Sequence, residues 1–256
     1  MEVPVKVATS GCQACRNSDP LPFDFTMAFH PIIDLARGAV WGYEALVRGT
    51  KGESAGAILG QVDEDRQYKF DQACRVKAIE LAGRLFPGDE ETKLSINFMP
   101  NAVYEPAACI RTSLEAARRV GFDTRRIMFE FTENERMADT KHVARIVAEY
   151  RRLGFITAID DFGAGHAGLN LLANFQTDLI KVDMELIRGI SGSAARQAIL
   201  SGILVMARAL DITIIAEGIE TEAELDTLRS AGIYLFQGFL FARPAVESLP
   251  TVSFSA

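Results

Sequence analysis

Short β-branched and aromatic runs alternate along this chain with longer stretches in which apolar residues return every three or four positions. The short runs predict strands at Thr26–Ile33, Val40–Leu46, Lys93–Asn97, Arg126–Phe131, Phe155–Ile159, Leu179–Val182, Thr213–Ala216 and Leu235–Gln237. The longer stretches predict helices at Asp65–Leu85, Ala107–Val120, Lys141–Leu153, Ala194–Leu210 and Glu222–Ala231. Gly154 and Gly232 each follow a helical run and supply the left-handed residue that closes a helix. Strands alternating with helices over this length predict an α/β fold, a (β/α)8 TIM-like barrel. The first two strands are joined by the turn-like Ala36-Arg37-Gly38 and read as a hairpin, which makes the first strand antiparallel. Residues 1–22 are polar and small, carry Pro20 and Pro22, and read as a tail, leaving 23–256 for the barrel.

Composition narrows the function classes. The 256 residues are 48% hydrophobic and 24% charged, a globular balance far from that of a disordered chain. The most apolar stretch, Ile203 to Ala216, is interrupted by Arg208 and Asp211, so no membrane span is expected. The N-terminus lacks the apolar centre of a signal peptide, and a soluble, cytoplasmic protein is the expectation. A net charge of -7 excludes a broad basic surface for polymeric nucleic acid. Any anionic ligand then needs a local source of positive charge, such as a divalent metal. Cys12, Cys15, Cys74 and Cys109 are too few for a disulfide scaffold and read as free thiols. Cys12 and Cys15 have the spacing of half a zinc or redox site, but no second half follows.

A polar or ionisable residue stands at or just past the end of nearly every strand from the second onward: Glu44, Asn97, Glu130, Asp160 with Asp161, Lys181, Glu217 and Gln237. In a barrel those strand ends converge on one mouth, where active sites lie. Any one acid after a strand is commonly a helix cap or a solvated loop residue, but recurrence at roughly one β/α unit favours a shared site. So many buried carboxylates need a cation, and a hard, oxygen-preferring ion such as Mg²⁺ or Mn²⁺ answers that need.

The same residues carry a family resemblance. Glu44-Ala45-Leu46-Val47-Arg48 resembles the signature of EAL domains, phosphodiesterases that cleave the bacterial messenger cyclic di-GMP. The remaining motifs follow in family order: SINFMP with Asn97, FEFTE with Glu130 and Glu133, DDFGAG with Asp160 and Asp161, KVD with Lys181 and Asp183, AEGIE with Glu217, and QGFLF with Gln237. The resemblance implies a (β/α)8 barrel with an antiparallel first strand, in agreement with the hairpin above. It implies two ions per site, Mg²⁺ or Mn²⁺. Glu44, Asn97, Glu130 and Asp160 would hold one, and Asp160, Asp161 and Glu217 the other. Lys181 would orient water or neutralise phosphate charge, Glu217 would accept the water's proton, and Gln237 would position solvent. Arg48 would clamp a phosphate and Leu46 would pack against the nucleotide, with His30 and Asp183 completing the substrate-binding set. Glu133 would anchor the loop after the fifth strand, 162–170. The product would be linear pGpG.

Two departures from the family pattern stand out: His30, where many members have Gln, and His166, where an aromatic residue is common. His166 reads as a surface residue and His142 as structural or solvated. A non-catalytic cyclic di-GMP receptor and a protein-interaction module are the alternative readings. A homodimer is implied through helices near the loop after strand five. No sensory domain is visible in this chain, so regulation falls to a separate partner, to oligomerisation or substrate supply, or to further domains of a longer protein.

Overall fold

The computed structural model describes residues 20–88, 91–132, 139–165 and 167–254. Strand β1 (Phe25–Asp34) turns through Leu35–Gly38 into β2 (Ala39–Gly49), and the two pair antiparallel from Phe25↔Gly49 to Asp34↔Ala39. From β2 the sheet proceeds in parallel through β3 (Lys93–Asn97), β4 (Ile127–Thr132), β5 (Ile156–Phe162), β6 (Leu179–Val182), β7 (Thr213–Ala216) and β8 (Leu235–Phe236). Strand β8 then pairs antiparallel with β1 at Ile33↔Phe236 and Asp34↔Leu235, which closes the barrel. A short β9 (Ala245–Val246) adds to β1 beside Ala28 and Phe29. The eight predicted strands are all present and the hairpin is as expected. The two-residue β9 has too little periodicity to be read from sequence.

The helices are α1 (Ala55–Leu59), α2 (Glu64–Leu85), α3 (Pro106–Cys109), α4 (Arg111–Val120), α5 (Thr140–Arg152), α6 (Gly168–Asn174), α7 (Met184–Ile187), α8 (Ala194–Ala209) and α9 (Glu222–Ser230). All five predicted helices form, with one division: 107–120 is two helices that meet at Ile110, where Cys109 and Ile110 turn into the core. Three short helices, α1, α6 and α7, were not expected, and α6 occupies part of what reads as loop in the sequence. Gly154 and Gly232 follow α5 and α9 with φ of 86° and 96°, the left-handed ends their positions predict. Among the described residues no helix is long and apolar enough to cross a membrane.

Period-two alternation sets the layers inside the barrel. Ile32, Met128, Ala158, Leu179, Ile215 and Leu235 form one buried apolar cluster in the interior. Two residues from each, on the same face of its strand, stand His30, Glu130, Asp160, Lys181, Glu217 and Gln237. The polar residues thus form the next layer toward the mouth, above a dry floor. A larger apolar core fills the space between barrel and helices, with Phe129, Tyr150, Ile180 and Leu228 fully enclosed.

The chain after β7 and the chain after β8 approach closely, through Ile219 N–H donating to Gln237 O at 3.1 Å. Gly238 permits this, since a Cβ there would lie 2.2 Å from Ile219 O and 2.3 Å from Ile219 N. Gly238→Ala is therefore expected to cost about 1–3 kcal/mol. Thermal unfolding checks it, and an unchanged midpoint would mean the two segments separate freely.

Candidate active site

Lys181, on β6, lies at the centre of the polar layer. Its Nζ is 2.7 Å from Glu217 Oε1, 3.2 Å from Glu130 Oε2 and Asp160 Oδ1, and 3.5 Å from Glu44 Oε2. The ammonium and Glu130 are essentially inaccessible to water. Burial alone would lower the Lys181 pKa, but Asp160, Glu130, Glu217 and Glu44 together hold it well above its usual value. One ammonium cannot balance four carboxylates. Burial pushes Glu130 and Glu217 well above the ordinary carboxyl range, against the pull of Lys181. Burial acts the same way on Glu44, yet Lys181, His30 and its hydrogen bonds outweigh it and hold that carboxyl at about 2.

A hydrogen-bonded ring orients these acids. Asn97 Nδ2, at the end of β3, donates to Glu44 Oε1 at 3.0 Å and to Glu130 Oε1 at 2.9 Å. Ser95, two residues earlier on the same face, donates to Glu130 Oε2 at 2.5 Å. Gln237 Nε2 donates to Glu44 Oε2 and to His30 Nδ1, each at 2.9 Å. His30 Nε2 in turn faces Ala242 O at 3.2 Å, which fits a ring carrying its proton on Nε2. Burial lowers the His30 pKa, in keeping with that neutral ring. Both ring nitrogens therefore have protein partners, while Gln237 Oε1 is buried with none.

Two consecutive residues of a regular strand face opposite ways, yet Asp160 and Asp161 both address the mouth. The β5–β6 pairing shifts register between Ile159 and Phe162, and Asp161 has a φ of 54°. A bulge with one left-handed residue turns the second carboxylate toward the first. That conformation costs a non-glycine residue about 1 kcal/mol or more. It is held by Thr132 Oγ1 donating to Asp161 Oδ2 at 3.0 Å and Asp161 N–H donating to Asp160 Oδ1 at 3.0 Å. Burial, then the neighbouring Asp160, raises the Asp161 carboxyl above its usual value.

The acids fall into two groups, Glu44 with Glu130 and Asp160, and Asp160 with Asp161 and Glu217. Within each, ligand oxygens lie within 4.8 Å of one another. These all-oxygen sets with a shared carboxylate fit hard divalent ions. Asn97 turns its amide nitrogen, a donor, toward Glu44 and Glu130, so joining the first group would require the amide to present its carbonyl oxygen there instead.

Two cavities flank this cluster and share Glu44 and Leu46. One, of about 420 Å³, is walled by apolar side chains that include Val47, Phe70, Ile96 and Met99. The other, of about 270 Å³, is lined by His30, Arg48, Asp183, Glu217 and Phe239. Arg48 Nη1 donates to Val47 O at 2.7 Å. Asp183 caps α7 by accepting from Glu185 N–H at 2.8 Å. Glu133, His166, Cys12 and Cys15 lie outside the described residues. Every other predicted site residue lies at this mouth. Sequence reasoning missed Ser95 and Thr132, which hold the acids in place. Their signal was alternation, since each lies two residues from a site acid or amide on its own strand.

Fold and site define a (β/α)8 barrel with an acidic, metal-fitting mouth. The EAL domain model matches residues 21–244, and this chain belongs to the EAL domain family. It is similar to a standalone versatile EAL protein from Vibrio cholerae O395 solved in its c-di-GMP bound form. That match has a TM-score of 0.88 and 54% identity, covering 93% of this chain and 100% of that one. The manganese and cyclic di-GMP complex of Klebsiella pneumoniae BlrP1 matches with a TM-score of 0.82 and 36% identity, over 90% of this chain and 58% of that one. The blue light- and temperature-regulated antirepressor BluF of Escherichia coli K12 is 33% identical over 226 residues, 88% of this chain and 56% of BluF. Other curated relatives are named cyclic di-GMP phosphodiesterases. The chain spans about half the length, or less, of the curated relatives it matches.

Removing the central ammonium should expose the charge imbalance. Lys181→Met is expected to destabilise the metal-free protein by about 3–5 kcal/mol, because buried carboxylates lose their cation. Mn²⁺ should restore most of that loss, as read by thermal unfolding with and without the ion. A destabilisation untouched by Mn²⁺ would argue against a cation site among these acids.

Proposed function

We propose that this chain is a cytoplasmic phosphodiesterase that hydrolyses one phosphodiester bond of cyclic di-GMP to give linear pGpG. The observation that carries this reading is the pair of carboxylate groups sharing Asp160 around Lys181. Glu44, Asn97, Glu130 and Asp160 would hold one Mg²⁺ or Mn²⁺ ion, and Asp160, Asp161 and Glu217 a second. Bound there, the ions would supply Lewis-acid stabilisation of phosphoryl charge and acidify a water molecule.

The chain's own groups do the remaining work. Lys181 offers a compact positive charge to the attacking water or to the phosphate. Glu217, whose carboxylate lies 2.7 Å from the Lys181 ammonium within the second acidic group, accepts the water's proton. Gln237 Oε1 is buried without a protein partner, and a water molecule positioned there would supply the missing donor. Arg48, at the rim of the smaller cavity with Asp183, clamps a phosphate, and Leu46 packs between the two cavities against the nucleotide. His30, with both ring nitrogens occupied, meets substrate through its ring, beside Phe239 at a centroid distance of 5.9 Å. Glu133 would support the loop after β5.

The reading includes a homodimer. The outward face of α8 carries exposed Ala195, Ala198, Ile199, Gly202, Val205 and Ala209. Ile199 and Val205 are more than half exposed. A two-fold axis lays this uncharged stripe against itself, burying on each copy what neither buries alone.

Hydrolysis of cyclic di-GMP by the purified chain with Mn²⁺ or Mg²⁺, resolved by chromatography, tests the activity. pGpG should appear, vanish with a chelator, and fall at least about 100-fold in Glu44→Ala. Tight binding without turnover would make the protein a receptor instead, and neither binding nor turnover would leave the interaction module. For the dimer, sedimentation should give twice the chain mass, and Ile199→Glu should return it to the monomer mass. A wild-type monomer at micromolar concentration would refute that part of the reading.

A further inference from the structure

Outside the polar layer at the mouth, the described residues include a further buried charged cluster, behind the end of β3. Arg75, on α2, is fully enclosed, with Nη2 at 2.6 Å from Asp71 Oδ2 and Nη1 donating to Tyr150 OH at 2.7 Å. Its guanidinium lies over the rings of Phe98 and Phe129, at 5.2 Å and 5.3 Å from their centroids. The second oxygen of Asp71 accepts the Met99 N–H at 2.9 Å. Residue 98 is fixed as well, by its N–H donating to Glu130 O at 2.9 Å and by its ring against Tyr150 at 5.6 Å. The two residues that follow Asn97 are therefore held from behind by α2 and α5, while the Asn97 amide reaches forward to Glu44 and Glu130.

A buried ion pair is a weak source of stability, since well-packed apolar side chains of similar volume commonly serve as well. What Asp71 offers that an apolar side chain does not is a fixed acceptor for one backbone N–H beside the site. Arg75 and Tyr150 in turn fix that carboxylate. We propose that Asp71, Arg75 and Tyr150 are positioning residues that set the place of Asn97 in the metal-binding group and so set divalent-ion affinity. The inference rests on the metal-dependent reading above.

Mn²⁺ binding, followed by the electron paramagnetic resonance signal of the free ion, provides a readout independent of turnover. The full chain is titrated as wild type, Tyr150→Phe, and the paired replacement Asp71→Leu with Arg75→Met, which leaves no orphaned charge. The paired variant should bind Mn²⁺ about 10–100-fold more weakly and Tyr150→Phe about threefold more weakly, as expected for groups that orient a metal ligand. Circular dichroism should show the fold retained. In an Asn97→Ala background the paired replacement should add less than about twofold, because both changes remove the same interaction. Wild-type affinity in both variants, or full additivity with Asn97→Ala, would overturn the proposal. A wild-type protein that binds no Mn²⁺ would instead sink the metal-dependent reading itself. If the paired variant does not fold, Tyr150→Phe decides alone, because it removes one hydroxyl from a ring that stays packed.

Discussion

The balance of charge around Lys181 is the constraint on which the rest of this mouth depends. Four carboxylates come together largely shielded from solvent at the barrel mouth, and a single ammonium stands between them. Such a cluster survives only if each member is held in place and the residual negative charge has an outlet. Asn97, Ser95 and Gln237 hold Glu44 and Glu130, the Asp161 N–H bonds Asp160, and Lys181 itself holds Glu217. Burial raises the proton affinity of Glu130 and Glu217, and divalent ions would offset the same excess of negative charge. Stability and chemistry are thus two aspects of one electrostatic arrangement.

Much of this was legible in the sequence because a barrel converts period-two alternation into depth. The residues at Met128, Ala158, Leu179, Ile215 and Leu235 and those two places later share a face of their strands, so an apolar residue followed by a polar one marks floor and site together. The strand ends were located from β-branched runs, and the convergence followed from topology. Glu44 was placed at a strand end, but β2 runs on to Gly49 because β1 continues to pair with it above the rim. The charge pattern was readable there and the strand length was not.

What stayed hidden has a common cause. The bulge at Asp160–Asp161 is a backbone event, fixed by Thr132 from the neighbouring strand, and adjacent acids read equally well as a turn. Short helices such as α6 and α7 hold a turn or two and carry no periodicity to detect. Ser95 and Thr132 are chemically ordinary residues that matter through their partners. His30 shows the same limit in another form. Its sequence position pointed to substrate, while its hydrogen bonds to Gln237 and Ala242 depend on segments more than 200 residues away. Contacts of that kind are set by tertiary structure, and local sequence holds no trace of them.

The antiparallel first strand also determines where the chain enters and leaves the barrel. In a barrel of uniformly parallel strands the first one starts at the floor. Here β1 starts at the rim, with Phe25 opposite Gly49, and descends. The closing segment returns to the same place: β9 pairs beside Ala28 and Phe29, and Glu247 bonds both the Met27 carbonyl and the Thr26 hydroxyl. Entrance and exit are therefore stitched together next to the acidic mouth. A module with adjoining ends can be spliced between other modules without disturbing its interior. Because the seam runs along the lip of the pocket, a tug on either flanking segment would be felt first where ligands pass.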